Sequence, residues 1–222
     1  TKDIGSWFFI GAIVINQELE YDHFFTEDLC GTCTACIDDC PTGAIIEPYQ
    51  LDSSKCISYL TIEHRGEFPE DYKNMLDGWI YGCDICQDVC PVNREIKFST
   101  EVYFQKRRGF AAPELLPLLE MDDNAFSLKF RNSAIKRAKR VGLQRNVCVA
   151  LGNIGDPSAI PALSKALNEA DPLVKMHAAW ALGRIGGKQC NDLLECALIS
   201  ESESDVITEI ESALFKLNEI HS

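Results

Sequence analysis

Two groups of closely spaced cysteines are the residues of this chain whose types and spacing are best suited to chemistry. The first group has the spacing C-x2-C-x2-C-x3-C and comprises Cys30, Cys33, Cys36 and Cys40, with Pro41 next in the chain. The second group comprises Cys83, Cys86 and Cys90, again followed by a proline, and Cys56 precedes it by twenty-six intervening residues. Thiolates with this spacing bind 4Fe–4S clusters, whose chemistry is electron transfer.

The spacing also predicts how the thiolates are shared between two clusters. In two-cluster ferredoxins with this motif, the first three cysteines bind one cluster and the fourth binds the other. Crossed sharing gives the first cluster the ligands Cys30, Cys33, Cys36 and Cys90. It gives the second cluster the ligands Cys40, Cys56, Cys83 and Cys86. Eight thiolates then serve two 4Fe–4S clusters.

Zinc and disulfides are the alternatives for these cysteines. Structural zinc sites also take four cysteines, but usually as paired C-x2-C units that lack a third cysteine and the C-P ending. A disulfide framework requires an oxidising compartment, and no hydrophobic leader precedes the cysteines. We therefore predict two 4Fe–4S clusters in a reducing cytoplasm.

Three of the eleven cysteines lie outside these two sets. Cys148, Cys190 and Cys196 each fall in a helical pattern among Val, Leu and Ala residues. Free cysteine in such surroundings behaves as a small hydrophobic residue. We expect all three side chains to be buried.

The composition limits the class of protein. The chain has 222 residues with 46% hydrophobic residues, which is enough for one large or two small cores, and it lacks an apolar run long enough to span a membrane. The net charge is −13, from 34 acidic and 21 basic residues, which disfavours nonspecific binding of nucleic acid by the chain as a whole. We take a monomer as the default oligomeric state.

An apolar run precedes the cysteines. Residues 7–15 are rich in aromatic and β-branched side chains, a pattern that predicts a buried strand or strand pair. Because the chain opens directly on this run, without an initiator methionine, we interpret it as the C-terminal part of a longer protein. Further on, residues 42–46 predict a short strand, and Asp52 or Ser53 could cap a helix that starts near Cys56.

The second half of the chain contains an internal repeat. Residues 143–155 match residues 174–186, thirty-one positions later, and each copy is followed by a turn and another apolar helix. Such helical pairs are typical of a HEAT-like solenoid, which residues 203–219 would close as a cap with one polar face. We predict an α+β protein with a sheet remnant over 1–28, a two-cluster ferredoxin-like module over 29–110 and a HEAT-like domain over 111–222.

Basic residues are concentrated at the start of the repeat. Residues 129–145 contain no acidic residue and seven basic ones: Lys129, Arg131, Lys136, Arg137, Lys139, Arg140 and Arg145. Three of them, Lys136, Arg137 and Arg140, would share one helical face and could meet a phosphate backbone. A solvated helix face is the alternative. We expect the neighbouring Phe126 and Phe130 to belong to the core rather than to stack on bases.

Three segments together carry a family resemblance. Residues 30–45, residues 56–66 (CISYLTIEHRG) and residues 80–91, followed by the helical repeat, resemble epoxyqueuosine reductase. Residues 5–11 (GSWFFIG) also fit the segment before the first cluster in that family. The CISYLTIEH stretch is the more specific part, because many ferredoxins share the cluster motif.

The resemblance implies a cobalamin-dependent oxidoreductase that converts epoxyqueuosine, at the wobble position of a tRNA anticodon, to queuosine. Electrons from an external donor would pass through the two clusters to a base-off cobalamin. Ser58, Cys83 and Asp84 resemble residues that approach the cobalamin. Arg65 resembles a tRNA contact, and the basic helices of the tail are similar to the surface that holds the anticodon stem.

The sequence departs from that family before the first cluster. The family's N-terminal domain, which supplies most of the cobalamin pocket and an aspartate acid, has no counterpart here. Asp22, Asp28 and Asp38 are acids, but none matches that role, so no catalytic residue is assigned. We expect this chain to supply the electron relay and the tRNA-binding surface.

Two other functions are compatible with the cysteines. A ferredoxin-like electron carrier could use the repeat to dock a protein, and the acidic composition would suit a basic redox partner. A second corrinoid enzyme with a similar relay, a reductive dehalogenase, acts on small organohalides. Neither explains the basic run at 129–145, so salt-sensitive binding of tRNA separates both from epoxyqueuosine reductase.

Overall fold

The computed structural model describes residues 4–24, 26–96, 99–105 and 109–220. A small cysteine-bearing module comes first, and a stack of helices follows it. This order confirms the predicted α+β class. Within the described ranges, no helix is long and apolar enough to cross a membrane.

The segment at residues 7–15 is extended and exposed, so the predicted buried strand is wrong. The side chains of Phe9, Ile13 and Val14 are 89%, 91% and 97% exposed. A strand needs a partner for its backbone groups, and the sheet found in the described part of the chain lies elsewhere. Phe9 instead stacks on Phe104, with ring centroids 6.1 Å apart.

Residues 5 and 6 fix the start of the chain against the end of the second cysteine group. The Ser6 N–H donates to Asn93 Oδ1 at 2.8 Å, and Asn93 Nδ2 donates to Ser6 Oγ at 2.8 Å. Gly5 has φ +66°, and a Cβ there would lie 2.3 Å from Asn93 Oδ1. A side chain at position 5 would therefore displace this contact.

The two cysteine groups fold into matching single turns. Helix α1 (Ala35–Asp38) carries Cys36, and the Asp38 N–H donates to Thr34 O at 3.0 Å. In the second group, one turn of helix (Ile85–Asp88) carries Cys86, and the Asp88 N–H donates to Asp84 O at 2.9 Å. The shared spacing C-x2-C-x3-C-P thus produces the same local structure twice.

Between these turns lie a hairpin and the helix that starts at Cys56. Strands β1 (Ile45–Glu47) and β2 (Gln50–Leu51) pair antiparallel, which confirms the predicted short strand. Asp52 caps a 3-10 turn at Ser53–Lys55, where its carboxylate accepts from the Ser54 N–H at 3.0 Å. The remaining helices of the module are α2 (Ile57–Ile62), α3 (Glu70–Lys73) and α4, the turn Ile85–Asp88.

The C-terminal part is a helical stack with a continuous apolar core. Its helices are α5 (Leu116–Leu119), α6 (Asp123–Lys129), α7 (Lys139–Ile154), α8 (Ile160–Glu169), α9 (Pro172–Ile185), α10 (Gly187–Ser200) and α11 (Ser204–Ile220). The two sequence repeats form α7 and α9, which pack on each other, and α11 packs on α9. Phe126 and Phe130 are buried as expected.

The cysteines of this stack differ in exposure. Cys148 and Cys190 are fully buried, as predicted. Cys196 is exposed, so the prediction for that residue is wrong. On α10 the buried positions are Cys190, Leu194 and Ala197, which lie four and then three residues apart, and position 196 falls off this face.

Gly152 allows α7 and α9 to approach closely. A Cβ on Gly152 would lie 2.7 Å from the Trp180 ring and 2.9 Å from the Ala181 Cα.

We expect Gly152→Ala to lower the free energy of unfolding by about 1–3 kcal/mol, because the helices must separate. Gly142, also on α7, has open space at its Cβ position. Gly142→Ala should therefore raise stability by about 0.5–1 kcal/mol, and equal melting temperatures of the two variants would contradict this account.

Arg145 joins the helical stack to the cysteine-bearing module. Its side chain is fully buried, so this member of the basic run is not part of a solvated face. The guanidinium donates to the carbonyl oxygens of Leu60 at 2.9 Å, His64 at 3.0 Å and Gly66 at 2.7 Å. These carbonyls lie at and beyond the C-terminal end of α2, where intrahelical donors are lacking. Burial lowers the pKa of Arg145 to about 9, which leaves it charged at neutral pH.

A buried neutral histidine lies at the same interface. His177 Nε2 accepts from the Phe68 N–H at 3.3 Å, so Nδ1 carries the proton and donates to Leu173 O at 2.7 Å. Burial lowers the pKa of His177 to about 3. In the unfolded chain a histidine has a pKa of about 6.5.

The depressed pKa of His177 predicts acid sensitivity. Below about pH 6.5 the unfolded chain takes up a proton that the folded chain does not, so the free energy of unfolding should fall by up to about 1.4 kcal/mol per pH unit. Melting temperatures between pH 7.5 and 5 should show this loss in the parent protein and a weaker dependence in His177→Gln. The exposed His23 offers the control His23→Gln, whose pH dependence should match the parent.

Candidate metal centre and nucleic-acid interface

The first set of predicted cluster ligands is brought together by α1 and α4, which pack on each other. Burial raises the pKa of the Cys36 thiol, and electrostatic interaction with Cys90, Cys30 and Cys33 raises it further. The four members of the predicted set are therefore neighbours, although Cys90 comes from the second group. Cys30 and Cys33 are exposed. Their role as ligands stays a prediction.

The second set lines a cavity of about 350 Å³. The four thiols that border this cavity are those of Cys40, Cys56, Cys83 and Cys86. The lining around them is largely apolar and includes Pro41, Ala44, Ile45, Leu51, Ile57 and Ile85. Burial raises the pKa of Cys83, and Cys56 and Cys40 contribute to the rise. A concave apolar site with convergent thiols matches the chemistry of a 4Fe–4S cluster.

The two sets are adjacent. Burial raises the pKa of Cys86, and the charges of Cys83 and Cys56 from its own set and of Cys36 from the first set raise it further. Cys36 and Cys86 lie on the two matching turns, α1 and α4. Clusters held by the two sets would therefore be neighbours within the same module.

Among the described residues, no group of three or more His, Cys, Asp or Glu side chains is arranged to hold a single metal ion. The preference for 4Fe–4S clusters over zinc rests on the spacing of the cysteines in the sequence and stays a prediction.

Backbone groups are positioned to stabilise the Cys40 thiolate. The Ala44 N–H donates to Cys40 Sγ at 3.3 Å, and the Thr42 hydroxyl lies 3.8 Å from the sulfur. Burial raises the pKa of Cys40, but hydrogen bonds from Ile45 and Ala44 outweigh it, so the pKa is lowered overall. Hydrogen bonds to sulfur also tune the potential of a bound cluster.

Asp28 and Tyr49 order the loop at Cys30, a role that sequence reasoning missed. Asp28 Oδ1 accepts from the Cys30 N–H at 2.9 Å and from the Tyr49 hydroxyl at 2.7 Å. The hydrogen bond to Asp28 raises the pKa of Tyr49 to about 12. Tyr49 also borders the cavity of the second thiol set. The Asp two residues before the first cysteine was a visible signal for the Asp28 contact, whereas the Tyr49 contact depends on the hairpin.

The predicted cobalamin contacts lie beside this cavity. Ser58 lies in the first turn of α2, and Asp84 directly precedes α4. Ser58 follows Ile57 and Asp84 follows Cys83 in the chain, and both Ile57 and Cys83 border the cavity. Ser58 and Asp84 themselves do not border it. Burial raises the pKa of Asp84, and the nearby Asp88 raises it further. Both side chains are at least partly exposed, and their contact with a cobalamin stays a prediction.

The basic residues do not share one helix. Lys136 and Arg137 lie on a 3-10 turn (Ala134–Ala138), whereas Arg140 lies on α7. Lys139, the first residue of α7, has φ +62°, which separates the 3-10 turn from the regular part of the helix. The prediction of a single helical face is wrong for this reason. We refer to Ala134–Ala138 as the basic turn.

Each predicted phosphate contact has a polar partner within the protein. Arg137 pairs with Glu63 at 2.6 Å, Arg140 pairs with Asp123 at 2.6 Å, and Lys136 Nζ donates to Ser127 Oγ at 3.2 Å. The Arg137 side chain is 68% exposed. Surface pairs contribute little stability, and the binding of phosphate by these cations stays a prediction.

Arg65 binds the backbone of the basic turn. Its Nη2 donates to Arg137 O at 2.8 Å, and its Nη1 donates to Ile62 O at 2.9 Å. Half of the Arg65 side chain remains exposed, at 51%. The predicted tRNA contact therefore lies next to Arg137, on the same surface.

Comparisons with known proteins agree with this geometry. The family model for a 4Fe-4S double cluster binding domain matches residues 29–93, and the model for HEAT repeats matches residues 130–214. These matches and the two thiol sets define the class: a protein that binds two 4Fe–4S clusters and carries a HEAT-repeat domain.

Individual relatives identify the family within this class. An epoxyqueuosine reductase of Shewanella oneidensis is 44% identical over 197 residues, 86% of this chain and 49% of that protein. A crystal structure of epoxyqueuosine reductase with a tRNA-TYR epoxyqueuosine-modified tRNA stem loop matches with a TM-score of 0.83 and 36% identity, over 87% of this chain and 52% of that chain. The chain belongs to the epoxyqueuosine reductase family.

The lengths of the relatives differ. The chain spans about half the length of the curated epoxyqueuosine reductases it matches, such as 49% of the Shewanella protein. An uncharacterized protein of Geobacillus stearothermophilus is 37% identical over 209 residues, which cover 94% of this chain and 96% of that protein.

Proposed function

We propose that this chain is the electron-relay and tRNA-binding part of an epoxyqueuosine reductase, which reduces the epoxide of epoxyqueuosine at the wobble position of tRNA to queuosine. The observation that carries the proposal is the fusion of two adjacent four-thiol sets to a HEAT-repeat domain with a basic turn at their junction. The tRNA stem-loop complex of a family member supports the same assignment.

The relay follows from the geometry of the two sets. Removal of the epoxide oxygen as water consumes a pair of electrons and a pair of protons, and a 4Fe–4S cluster carries electrons singly. Two clusters can therefore hold the pair. We propose that the set with exposed Cys30 and Cys33 receives electrons from an external donor, and that the half-buried set passes them on.

Cobalamin, when bound, would supply a reducible cobalt that acts on the epoxide. Ser58, Cys83 and Asp84 are the residues of this chain that would contact it. Cys83 borders the cavity of the second set, so a corrinoid held at this edge would lie next to the second cluster. The exclusion of water by the apolar lining would favour transfer to the corrinoid over loss of electrons to solvent.

The RNA-binding surface is formed by Arg65, Lys136, Arg137 and Arg140. These side chains lie on and around the basic turn and are exposed or partly exposed. They would contact phosphates of the anticodon stem-loop and fix its position without reading its sequence. We also propose a cytoplasmic monomer, where tRNA and cellular reductants are available.

The proposal is tested by RNA binding after anaerobic reconstitution with iron and sulfide. Affinity for an anticodon stem-loop should fall steeply with salt, and the double variant Lys136→Met/Arg137→Met should reduce the slope of log K against log salt by about 2. The exposed Lys188 on α10 provides the control Lys188→Met, which should leave the slope unchanged. Absence of RNA binding at low salt would refute the assignment.

A second candidate function is that of a ferredoxin-like carrier that docks a basic redox protein. The observation that favours it is the charge of residues 3–54, which contain ten acidic residues and no Lys or Arg. Opposite charges on a partner would steer association with this region. Rapid electron transfer to a basic redox protein, combined with no affinity for RNA, would support the carrier.

A further inference from the structure

The basic turn is hydrogen-bonded to two of the three segments that carry cysteines of the second set. The Tyr81 hydroxyl donates to Ala134 O at 2.6 Å. From the other segment, Arg65 donates to Arg137 O at 2.8 Å and to Ala138 O at 3.5 Å. Both ends of the turn are therefore held by residues of the cysteine-bearing module.

The Tyr81 contact continues toward the cavity. Tyr81 precedes Cys83 by two residues, and the intervening Gly82 N–H donates to Thr61 Oγ1 at 2.9 Å. The Thr61 hydroxyl in turn donates to Ile57 O at 2.8 Å, in the first turn of the helix that begins after Cys56. These hydrogen bonds, together with the backbone that joins Tyr81 to Cys83 and Ile57 to Cys56, link the basic turn to the backbone next to two cysteines of the second set.

The outer side of the basic turn has a charge pair that RNA would alter. Arg137 pairs with Glu63, the residue that ends α2. A phosphate bound by Arg137 competes with Glu63 for the guanidinium and repels that carboxylate. Binding therefore changes the forces on the turn at the point where Tyr81 and Arg65 hold it.

We propose that Tyr81 is a positioning residue that couples RNA binding at the basic turn to the second 4Fe–4S cluster. The proposal rests on the proposed function, because it requires that the turn binds RNA. The consequence for the reaction is that occupancy by RNA and the redox state of the relay influence each other.

Because of thermodynamic linkage, the coupling can be measured either as a change in cluster potential or as a change in RNA affinity. If RNA binding shifts the potential of the cluster, the reduced and oxidised proteins must differ in RNA affinity by the matching factor. Part of any such difference comes from long-range charge, which does not depend on the Tyr81 hydroxyl. The remaining part of the difference in RNA affinity depends on the hydrogen bond from Tyr81 to Ala134 and is lost when that bond is removed.

The test compares RNA affinity in the two redox states. The reconstituted protein is titrated with a fluorescent anticodon stem-loop, oxidised and after dithionite reduction, for the parent, Tyr81→Phe and Tyr103→Phe. Tyr103 is 85% exposed and provides a matched control. We expect the two affinities to differ by about fivefold in the parent and in Tyr103→Phe, and by less than about twofold in Tyr81→Phe. EPR spectra of the reduced cluster with and without RNA give an independent readout.

The outcomes separate the coupling from the proposed function. A ratio that stays the same in Tyr81→Phe, or equal affinities in both redox states of the parent, would overturn the coupling and leave RNA binding intact. Failure of the parent to bind RNA would instead overturn the proposed function. Loss of cluster in Tyr81→Phe is not expected, because Ala134 is exposed and its carbonyl can accept from water.

Discussion

We expect the double variant Cys30→Ala/Cys90→Ala to keep about four irons per chain, and the double variant Cys30→Ala/Cys40→Ala to keep almost none. In the crossed arrangement, Cys30 and Cys90 bind the same cluster, so their joint loss leaves the other cluster with all its ligands. Cys30 and Cys40 bind different clusters, so their joint loss damages both. The prediction follows from the thiols that surround Cys36 and from those that border the 350 Å³ cavity.

Iron and sulfide analysis after anaerobic reconstitution measures the result, and EPR after reduction identifies the remaining cluster. The exposed Cys196 lies outside both sets, so Cys196→Ala is the matched control and should keep about eight irons. The reverse pattern, with iron retained in Cys30→Ala/Cys40→Ala and lost in Cys30→Ala/Cys90→Ala, would show uncrossed clusters. Zinc in place of iron in the parent would refute the cluster assignment.

Substitution of Arg145 by methionine should cause the largest loss of stability of any single change on the interface between the module and the helices. The variant leaves the buried carbonyl of Leu60 without this donor and removes the hydrogen bonds to the carbonyls of His64 and Gly66. Unsatisfied buried groups of this kind cost about 1–3 kcal/mol each before relaxation. We expect a total loss of about 3 kcal/mol or more and a melting temperature lower by roughly 5–10 °C.

Two further variants separate hydrogen bonding from charge. Arg145→Lys keeps the charge but offers fewer donors in a different geometry, so its melting temperature should lie between those of the parent and Arg145→Met. The exposed Arg131 belongs to the same basic run, and Arg131→Met should change stability by less than about 0.5 kcal/mol. Equal melting temperatures for Arg145→Met and Arg131→Met would contradict the role assigned to the buried guanidinium.

The sequence predicted the features that depend on local geometry. The C-x2-C-x3-C-P spacing predicts a single turn that brings its thiols to one side, because it acts within a few residues. Asp52 does act as a cap, but of the 3-10 turn at Ser53–Lys55, whereas the sequence predicted a cap of α2. The repeat at 143–155 and 174–186 predicted α7 and α9, because periodic apolar positions persist over several turns. Cys196 could have been predicted correctly from the same periodicity.

The strand predicted at residues 7–15 and the missed contacts of Arg145 and Tyr81 all depend on distant parts of the chain. Strand propensity at residues 7–15 does not form a strand unless another strand accepts its hydrogen bonds. The basic run contains no signal that Arg145 points inward, because its partners lie near residues 60–66. The Tyr81 contact with Ala134 spans fifty-three positions and likewise leaves no local pattern.

The crossed cysteine sets have a consequence for folding. Neither matching turn can complete a cluster alone, so each cluster would act as a covalent cross-link between segments some fifty residues apart, such as Cys36 and Cys90 or Cys40 and Cys83. Because metal binding of this kind contributes directly to the free energy of folding, assembly of the clusters and folding of the first module become one process. The apolar core of the helical stack continues into the module through Ile57, Leu60, Phe68 and Leu76, so incorporation of the clusters would also stabilise the packing of the module on the helices.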